Sequence, residues 1–111
     1  MQLNYAIKFV ADMDKAIAFH RDTLGLPLRF ESPFWTEFDT GGTTLALHPA
    51  SAESPAGSVQ LGFAVDDLAG FYARRDEMGI AFTQPPREMH GSHIARFRDP
   101  DGAETSISGG M

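Results

Sequence analysis

Apolar residues follow strand-like and helix-like patterns in turn along the chain. The run from Leu3 to Val10 is rich in residues that favour β-strands. After Asp12 the spacing becomes helical, because Met13, Ala16, Ile17, His20 and Leu24 fall on one helical stripe. Asp12 is suited to cap this helix by accepting from its free first-turn amides, and Gly25 is suited to end it in a left-handed conformation. Three short apolar runs then predict strands at residues 28–32, 35–40 and 43–48.

The same order of patterns returns in the second half of the chain. A strand is predicted from Val59 to Val65, with Asp67 as helix cap and Gly79 as helix terminator. The helix between them has a less regular stripe, formed by Leu68, Phe71, Tyr72, Arg75 and Met78. Strands are predicted at 81–84, 94–98 and 103–108, with a type I turn at Asp99-Pro100-Asp101-Gly102.

Local sequence similarity supports an internal repeat. Phe9-Val10-Ala11-Asp12-Met13 returns as Ala64-Val65-Asp66-Asp67-Leu68, 55 residues later, and Leu24-Gly25-Leu26 returns as Met78-Gly79-Ile80, 54 residues later. The offset then grows to about 60, which places the extra residues around Pro85 to His93. We interpret the chain as one domain, 1–111, made of two βαβββ modules at 1–54 and 57–111. The predicted class is therefore α+β.

Composition and charge narrow the possible partners. The chain has 111 residues, 42% of them hydrophobic, a net charge of −6 and no cysteine. The negative charge opposes binding to nucleic acid, and the lack of cysteine excludes disulfides, thiolate zinc sites and thiol nucleophiles. No apolar run is long enough to span a membrane, and the first residues do not resemble a signal peptide. We therefore expect a cytoplasmic protein that contacts neither membrane nor nucleic acid.

The repeated order of strand, Val-x-Asp-Leu/Met, helix, Leu-Gly and three strands, ending in Phe97-Arg98-Asp99-Pro100-Asp101-Gly102, resembles the vicinal oxygen chelate superfamily. That group contains glyoxalase I, extradiol dioxygenases, and fosfomycin- and bleomycin-resistance proteins. The resemblance covers essentially the whole chain. It implies two modules curled into a cupped mixed sheet with helices outside, a homodimer, and a ligand site within the cup.

The resemblance also implies four metal-ligand positions, on the first and last strands of each module. In this chain they are occupied by Tyr5, Ala46, Gln60 and Ser106. None is His, Asp or Glu, whereas a divalent metal needs three or four N/O ligands with negative charge among them. We therefore expect no cofactor and no metal at the usual position. An alternative is a displaced metal site built from His48, Glu104, His90 and His93.

The inner face of the predicted cup supplies candidate ligand-binding residues. An apolar face with a few polar groups is typical of small-molecule sites. The candidates are Tyr5, Ile7, Phe9, Phe34, Trp35, His48, Gln60, Glu104 and Ser106. Tyr5 and Gln60 occupy equivalent places in the two modules and are suited to hydrogen-bond one ligand. For Phe34 and Trp35, a place in the core or in a dimer contact is an equal alternative.

Two further features have competing interpretations. His20 lies on the apolar helical stripe, which favours a structural role over that of a general base. The segment from Pro85 to His93 has no periodicity, and it is interpreted either as a lid or as a plain surface loop.

Three functions remain open at this point. The first is a non-catalytic protein that binds a small, aromatic or cationic molecule and sequesters a drug or metabolite, as the bleomycin-resistance branch does. The second is a metal-dependent lyase, isomerase or dioxygenase that uses the displaced ligands. The third is a metal-free lyase or isomerase that uses Tyr5, His48 or Glu104 as acid and base. The replaced ligand positions favour the first, so no catalytic residue is assigned.

Overall fold

The computed structural model describes residues 1–89 and 91–111, and it divides the chain into two compact units. Module one is residues 4–59, and module two is residues 60–111 together with residues 1–3. Each contains, in chain order, a strand, a helical segment and three further strands. This arrangement confirms the predicted α+β class and the repeated βαβββ order.

Module one contains a four-stranded mixed sheet in the order β2-β3-β4-β1. The first and last strands, β1 and β4, are parallel, and the pairs β2/β3 and β3/β4 are antiparallel. Its elements are β1 (Gln2–Val10), α1 (Met13–Ala18), a π-helical turn (Phe19–Thr23), β2 (Leu28–Phe30), β3 (Thr36–Asp39) and β4 (Thr44–Pro49).

Module two repeats this topology with the strand order β5-β8-β7-β6. Again the first and last strands are parallel, and the other two pairs are antiparallel. Its elements are β5 (Val59–Asp67), α2 (Leu68–Ala73), α3 (Arg75–Met78), β6 (Ala81–Met89), β7 (Ser92–Arg98) and β8 (Glu104–Gly110).

The predicted caps and turn are present. The Lys15 amide donates to Asp12 Oδ1 at 3.1 Å, and the Gly70 amide donates to Asp67 Oδ1 at 2.9 Å. Asp99 organises the last turn, because its carbonyl accepts from the Gly102 amide at 2.9 Å. These contacts satisfy backbone donors that a helix start or a turn leaves free.

The first helix is shorter than its apolar stripe predicts. The α-helix ends at Ala18, and a π-helical turn follows, with the Leu24 amide donating to the Phe19 carbonyl at 3.0 Å. The wider turn changes the phase of the stripe. Ile17 and His20 are buried as predicted, whereas the prediction was wrong for Leu24, which is 54% exposed.

The second helix is also interrupted. Arg74 leaves the helical region, so α2 and α3 are separate, and Met78 at the end of the predicted stripe is 40% exposed. The Arg75 guanidinium lies over the Tyr72 ring, 4.1 Å from its centroid. This cation–π contact accounts for an arginine on an otherwise apolar stripe.

Each helix covers one face of its own sheet. In module one the buried core is Val10, Ile17, Phe38 and Leu47. In module two it is Leu68, Phe71, Ala95 and Ile107. Because side chains alternate between the faces of a strand, the residues between these core positions point to the opposite face. That opposite face carries the candidate site.

The segment that was predicted to be irregular contributes to two strands instead. Residues 85–89 continue β6, and Ser92 and His93 begin β7, so both the lid and the plain-loop interpretations were wrong there. Register shifts on both sides of Gln84 let the sheet accept Pro85 and Pro86, which lack amide donors. The last strand also extends past its predicted end at residue 108, because Gly109 and Gly110 pair with β5. None of the helices in the part of the chain that the structure describes has the length and the apolar character that spanning a bilayer requires.

Candidate functional site

The candidate site in module one lies on the sheet face that α1 does not cover. The parallel register of β1 and β4 pairs Tyr5 with Thr44, Ile7 with Ala46 and Phe9 with His48. The antiparallel register of β4 and β3 adds Glu37, opposite Ala46. Paired residues share a face, so one surface combines apolar, aromatic and carboxylate side chains.

Four rings form an aromatic cluster on this face: Tyr5, Trp35, His48 and Phe9. The centroid distances are 6.0 Å for Tyr5–Trp35, 6.3 Å for Trp35–His48 and 5.4 Å for Phe9–His48. The rings are tilted or edge-on to one another, which is the favourable arrangement for aromatic pairs. Trp35, which touches two of the other rings, is the centre of the cluster.

The turn before β3 holds Trp35 in place. The Ser32 hydroxyl accepts from the Trp35 amide at 2.9 Å and donates to the Trp35 carbonyl at 2.8 Å. The Phe34 amide also donates to this hydroxyl, at 3.3 Å. Phe34 itself is 74% exposed, so the turn separates the two adjacent aromatic residues. Trp35 joins the aromatic cluster and Phe34 does not.

A carboxylate fixes the polar edge of the aromatic cluster. Glu37 Oε2 accepts from the Trp35 indole nitrogen at 2.8 Å and from the Tyr5 hydroxyl at 3.4 Å. Arg29 Nε donates to the other oxygen of Glu37 at 3.2 Å, and the same guanidinium donates to the Thr44 hydroxyl. We call these residues, Glu37, Trp35, Tyr5, Arg29 and Thr44, the Glu37 network. It satisfies both carboxylate oxygens and orients two of the rings.

The Glu37 network also influences the ionisation of Tyr5. Burial raises the pKa of the Tyr5 hydroxyl above its ordinary value, and the negative charge of Glu37 raises it further. The positive charge of Arg29 acts in the opposite direction but is the smaller effect. Tyr5 is therefore a neutral hydrogen-bond donor at neutral pH, neither a phenolate ligand nor a base.

His48 lies at the exposed edge of the aromatic cluster. Its Nδ1 donates to the carbonyl of Pro49 at 2.8 Å, which leaves Nε2 as an acceptor in the neutral ring. The side chain is solvent-exposed, while its neighbour Phe9 is buried. A ligand on the aromatic cluster would therefore approach from the His48 side.

Three sequence-predicted residues belong to module two. Gln60 lies near the start of β5 and is half-buried. Glu104, at the start of β8, accepts from the Thr83 hydroxyl, and one of its oxygens lies 4.0 Å from Arg98 Nε. Ser106 is paired with Gly62 on β5 and Arg96 on β7. Of the nine predicted residues, the structure brings together Tyr5, Ile7, Phe9, Trp35 and His48 in module one.

The four positions that the resemblance assigns to metal ligands do not fit a divalent cation. Ala46 is fully buried and has no donor atom, and the Tyr5 hydroxyl donates to Glu37 with a raised pKa. Gln60 and Ser106 are neutral. Such a donor set lacks the charge that divalent metals require.

The residues of the alternative, displaced metal site have other surroundings. His48 donates to Pro49, and Glu104 is held by Thr83 and Arg98. His93 lies within β7, paired with Glu88 and Gly109, and His90 is outside the described residues. In the described part of the chain, no three His, Cys, Asp or Glu residues are grouped as a metal site would need.

Sequence reasoning missed Glu37, Arg29 and Thr44. The available signal was the alternation of strand residues, because Glu37 is two positions after Trp35 and must share its face. His20 has the structural role that was favoured: it is 5% exposed, and its Nδ1 donates to the Ala16 carbonyl at 2.7 Å. It packs on the helix side, against Phe38.

A separate depression of about 640 Å³ lies on the helix side of module one. Its lining residues are Asp12, Met13, Asp14, Ile17, Glu31, Ser32 and Pro33. None of them is a ring of the aromatic cluster, and Asp12 is already engaged as a helix cap. We therefore place the candidate site on the aromatic cluster, where oriented polar groups meet rings.

Comparison with known proteins agrees with this fold. The family model "Glyoxalase/Bleomycin resistance protein/Dioxygenase superfamily" matches residues 2–107. The protein YraH of Bacillus subtilis (strain 168) is 30% identical in an alignment of length 109, and the match covers 83% of this chain and 85% of YraH. With its repeated βαβββ modules, this chain belongs to the glyoxalase/bleomycin resistance protein/dioxygenase superfamily.

Solved structures show the same fold at low sequence identity. Methylmalonyl-CoA epimerase from Mycobacterium tuberculosis superposes with a TM-score of 0.81 at 21% identity, covering 99% of this chain and 88% of the epimerase. A superfamily member from Vibrio splendidus 12B01 gives a TM-score of 0.70 at 18% identity, covering 96% and 97%. These similarities concern the fold only.

Proposed function

We propose that this protein binds a planar aromatic molecule on the aromatic cluster of module one, without catalysing a reaction, and so sequesters a drug or metabolite. The observation that carries this proposal is the fixed orientation of Trp35. Its backbone is held by Ser32 and its indole nitrogen by Glu37. A ring that is already ordered loses little entropy when a ligand stacks on it, which favours affinity.

The chemistry of the aromatic cluster favours a cationic ligand over a neutral one. Ring faces attract cations through their quadrupole, and indole is the strongest of the side-chain rings in this respect. The net charge of −6 attracts cations from a distance. Glu37 contributes little direct charge, because Arg29 neutralises it. We therefore propose an aromatic cation as the ligand class.

Binding without catalysis fits the state of the polar groups at this face. The raised pKa of Tyr5 opposes its use as a base, and Glu37 is occupied by three donors. General base catalysis needs a group that is ready to accept a proton near the operating pH. Among the described residues of this face, the one such group without a protein partner is His48 Nε2, at the exposed edge of the aromatic cluster.

The single tryptophan provides a direct test. We expect N-methylquinolinium to quench Trp35 fluorescence saturably, and we expect quinoline, its uncharged counterpart at neutral pH, to bind about tenfold more weakly. Calorimetry on Trp35→Leu should show binding reduced by about tenfold or more. Phe34→Ala is the matched control, because Phe34 is exposed outside the aromatic cluster.

The proposal is wrong if neither compound quenches Trp35, or if Phe34→Ala weakens binding as much as Trp35→Leu. Turnover of a bound compound with a bell-shaped pH profile, lost in His48→Ala, would favour the metal-free enzyme alternative instead. Metal-dependent turnover would favour the displaced-site enzyme.

We further propose that the protein is a homodimer. Leu28 and Phe30 on β2, an edge strand of the module one sheet, are 36% and 53% exposed. Apolar side chains on an edge strand commonly mark an interface. Sedimentation should give twice the mass of one chain, and Phe30→Lys should convert the protein to monomer. A monomeric wild-type protein would contradict this. The cytoplasmic location stays a prediction.

A further inference from the structure

The uncovered face of module two has a different chemistry from that of module one. Strand pairing places Gln84 on β6 opposite Arg96 on β7, and Arg96 opposite Ser106 on β8. Directly paired residues have Cβ atoms about 5 Å apart, so these side chains form one continuous row. All three can donate hydrogen bonds.

Register identifies the face on which this row lies. Arg96 is between Ala95 and Phe97, which belong to the helix-side core of module two. Because successive side chains point to opposite faces, Arg96 points away from the helices, and its partners Gln84 and Ser106 do the same. The row therefore occupies the face equivalent to the aromatic cluster, but within its own module.

The hydrogen-bond donors of this row lack acceptors among the described residues. Gln84 Nε2 is buried and has no hydrogen-bond partner, and among the described residues neither the Arg96 guanidinium nor the Ser106 hydroxyl has one. Leaving a buried amide donor unpaired is unfavourable, because the donor gives up its hydrogen bonds to water and gains none in return. Such a group in a stable fold needs an explanation, and an acceptor supplied from outside the chain is one.

The charge around the row selects the kind of acceptor. The pairing of β6, β7 and β8 places three arginines and one carboxylate on this face: Arg87, Arg96, Arg98 and Glu104. Glu104 is held by Arg98 and Thr83, so Arg87 and Arg96 leave the face locally positive. This local charge contrasts with the net charge of −6 of the whole chain.

We propose that Gln84, Arg96 and Ser106 bind an oxyanion, the carboxylate or phosphate group of a small molecule. The planar guanidinium fork of Arg96 matches two oxygens of such a group, while the Gln84 amide and the Ser106 hydroxyl donate from either side. This site does not require the aromatic cluster. Its success or failure is therefore independent of the function proposed above.

Side-chain NMR tests the proposal with inorganic phosphate and with benzoate, and benzamide serves as the uncharged counterpart of benzoate. Gln2, Gln60 and Gln84 are the three glutamines, so the Gln84 amide signals can be assigned by substitution. We expect saturable shifts of the Gln84 amide and the Arg96 Nε–H with phosphate, benzoate or both, and none with benzamide. Which anion binds more tightly distinguishes a phosphate site from a carboxylate site.

Variants separate a built site from general anion attraction. Arg96→Gln should weaken the preferred anion tenfold or more, and Arg96→Lys should weaken it several-fold, because lysine keeps the charge but not the fork. Arg74→Gln, at the exposed break between α2 and α3, removes the same charge elsewhere and should have no effect. Equal binding by wild type and Arg96→Gln would overturn the proposal, as would the lack of any saturable shift.

Gln84→Leu provides a second, independent readout. It replaces an unpaired buried donor with an apolar side chain, so thermal stability without anion should hold or rise while anion binding falls several-fold. A gain in stability together with a loss of binding is typical of a functional position. Unchanged anion binding in this variant would contradict a role for Gln84.

Discussion

The indole nitrogen of Trp35 donates a 2.8 Å hydrogen bond to Oε2 of Glu37, two positions further along the chain. The same carboxylate oxygen accepts from Tyr5, which belongs to a different strand. One glutamate thus couples the orientations of two rings. The rings of the aromatic cluster are therefore held in fixed orientations before any ligand binds, unlike flexible apolar side chains.

Removing the Glu37 carboxylate should disturb stability and the aromatic cluster together. Glu37→Ala leaves the Arg29 guanidinium and the Trp35 indole without their acceptor, and the free energy of unfolding should fall by about 2 kcal/mol. Glu37→Gln keeps one acceptor oxygen and should cost about 1 kcal/mol. Denaturant unfolding followed by Trp35 fluorescence measures both, and the native emission should shift because Nε1 loses its partner.

Asp22→Asn is the matched control for Glu37. Asp22 also pairs with an arginine, Arg21, but on the exposed surface of the π-helical turn. Exposed ion pairs contribute little to stability, so this variant should unfold like the wild type. Equal losses in Glu37→Ala and Asp22→Asn would mean that the Glu37 network has no special role.

Tyr5 should make the protein less stable at high pH. Its pKa is raised in the folded chain, chiefly by burial and then by Glu37, so the unfolded chain loses the phenolic proton first. The contribution of Tyr5 is fully present below the ordinary pKa of about 10 and is lost as the pH rises through the higher folded value. The unfolding free energy should fall across this window, and Tyr5→Phe should lessen the fall.

Tyr72, the other tyrosine, is the control for that titration. It packs edge-on against Phe82 on the helix side of module two. In Tyr72→Phe the delayed tyrosinate absorbance of Tyr5 should persist, whereas Tyr5→Phe should remove it. An alkaline stability profile that is the same in Tyr5→Phe and wild type would contradict the assignment.

His20 should affect folding but not ligand binding. Its buried ring packs against Phe38, and its Nδ1 donates to Ala16, so His20→Ala should cost about 2 kcal/mol through lost packing and a lost hydrogen bond. Thermal unfolding measures the loss. Binding of N-methylquinolinium below the melting temperature should stay unchanged, and a loss of binding there would point to a direct role for His20.

Much of this fold could be predicted because its signals are local. Caps such as Asp12 and Asp67, and the turn at Asp99, act within four residues of themselves. The end of α1 could not be predicted, because a π-helical turn changes the phase of an apolar stripe without changing its composition. The strand through Pro85 was missed because proline is disfavoured inside a strand. The register shifts beside Gln84, which the sequence does not reveal, allow the strand to continue there.

The residues of the candidate site also fall into a group that local sequence signals identified and a group that depends on the tertiary structure. Tyr5 and Phe9 were selected because strand alternation places them on one face, and Trp35 was selected as the single tryptophan. Arg29 and Thr44 were not, because their contact depends on which strands become neighbours, and that order follows from the tertiary structure. Phe34 was placed with Trp35, whereas the Ser32 turn sends the two rings to different surroundings.

Gly109 tests whether the end of β8 is a structural strand. A side chain there would place its Cβ in steric clash with the Val65 carbonyl oxygen and 3.2 Å from the Leu68 Cβ. Both neighbours are fixed, one as backbone of β5 and the other as a fully buried core residue. Gly109→Ala should therefore destabilise the protein by about 3 kcal/mol, as measured by thermal or denaturant unfolding.

Gly42→Ala is the control, because a Cβ at Gly42 meets nothing within 4 Å and its backbone has no positive φ. It should leave stability unchanged or raise it slightly, since alanine restricts the unfolded chain more than glycine does. If Gly109 were part of a loose tail, both variants would behave alike. A large difference between them would instead show that β8 continues through Gly109 and that only glycine permits its approach to β5.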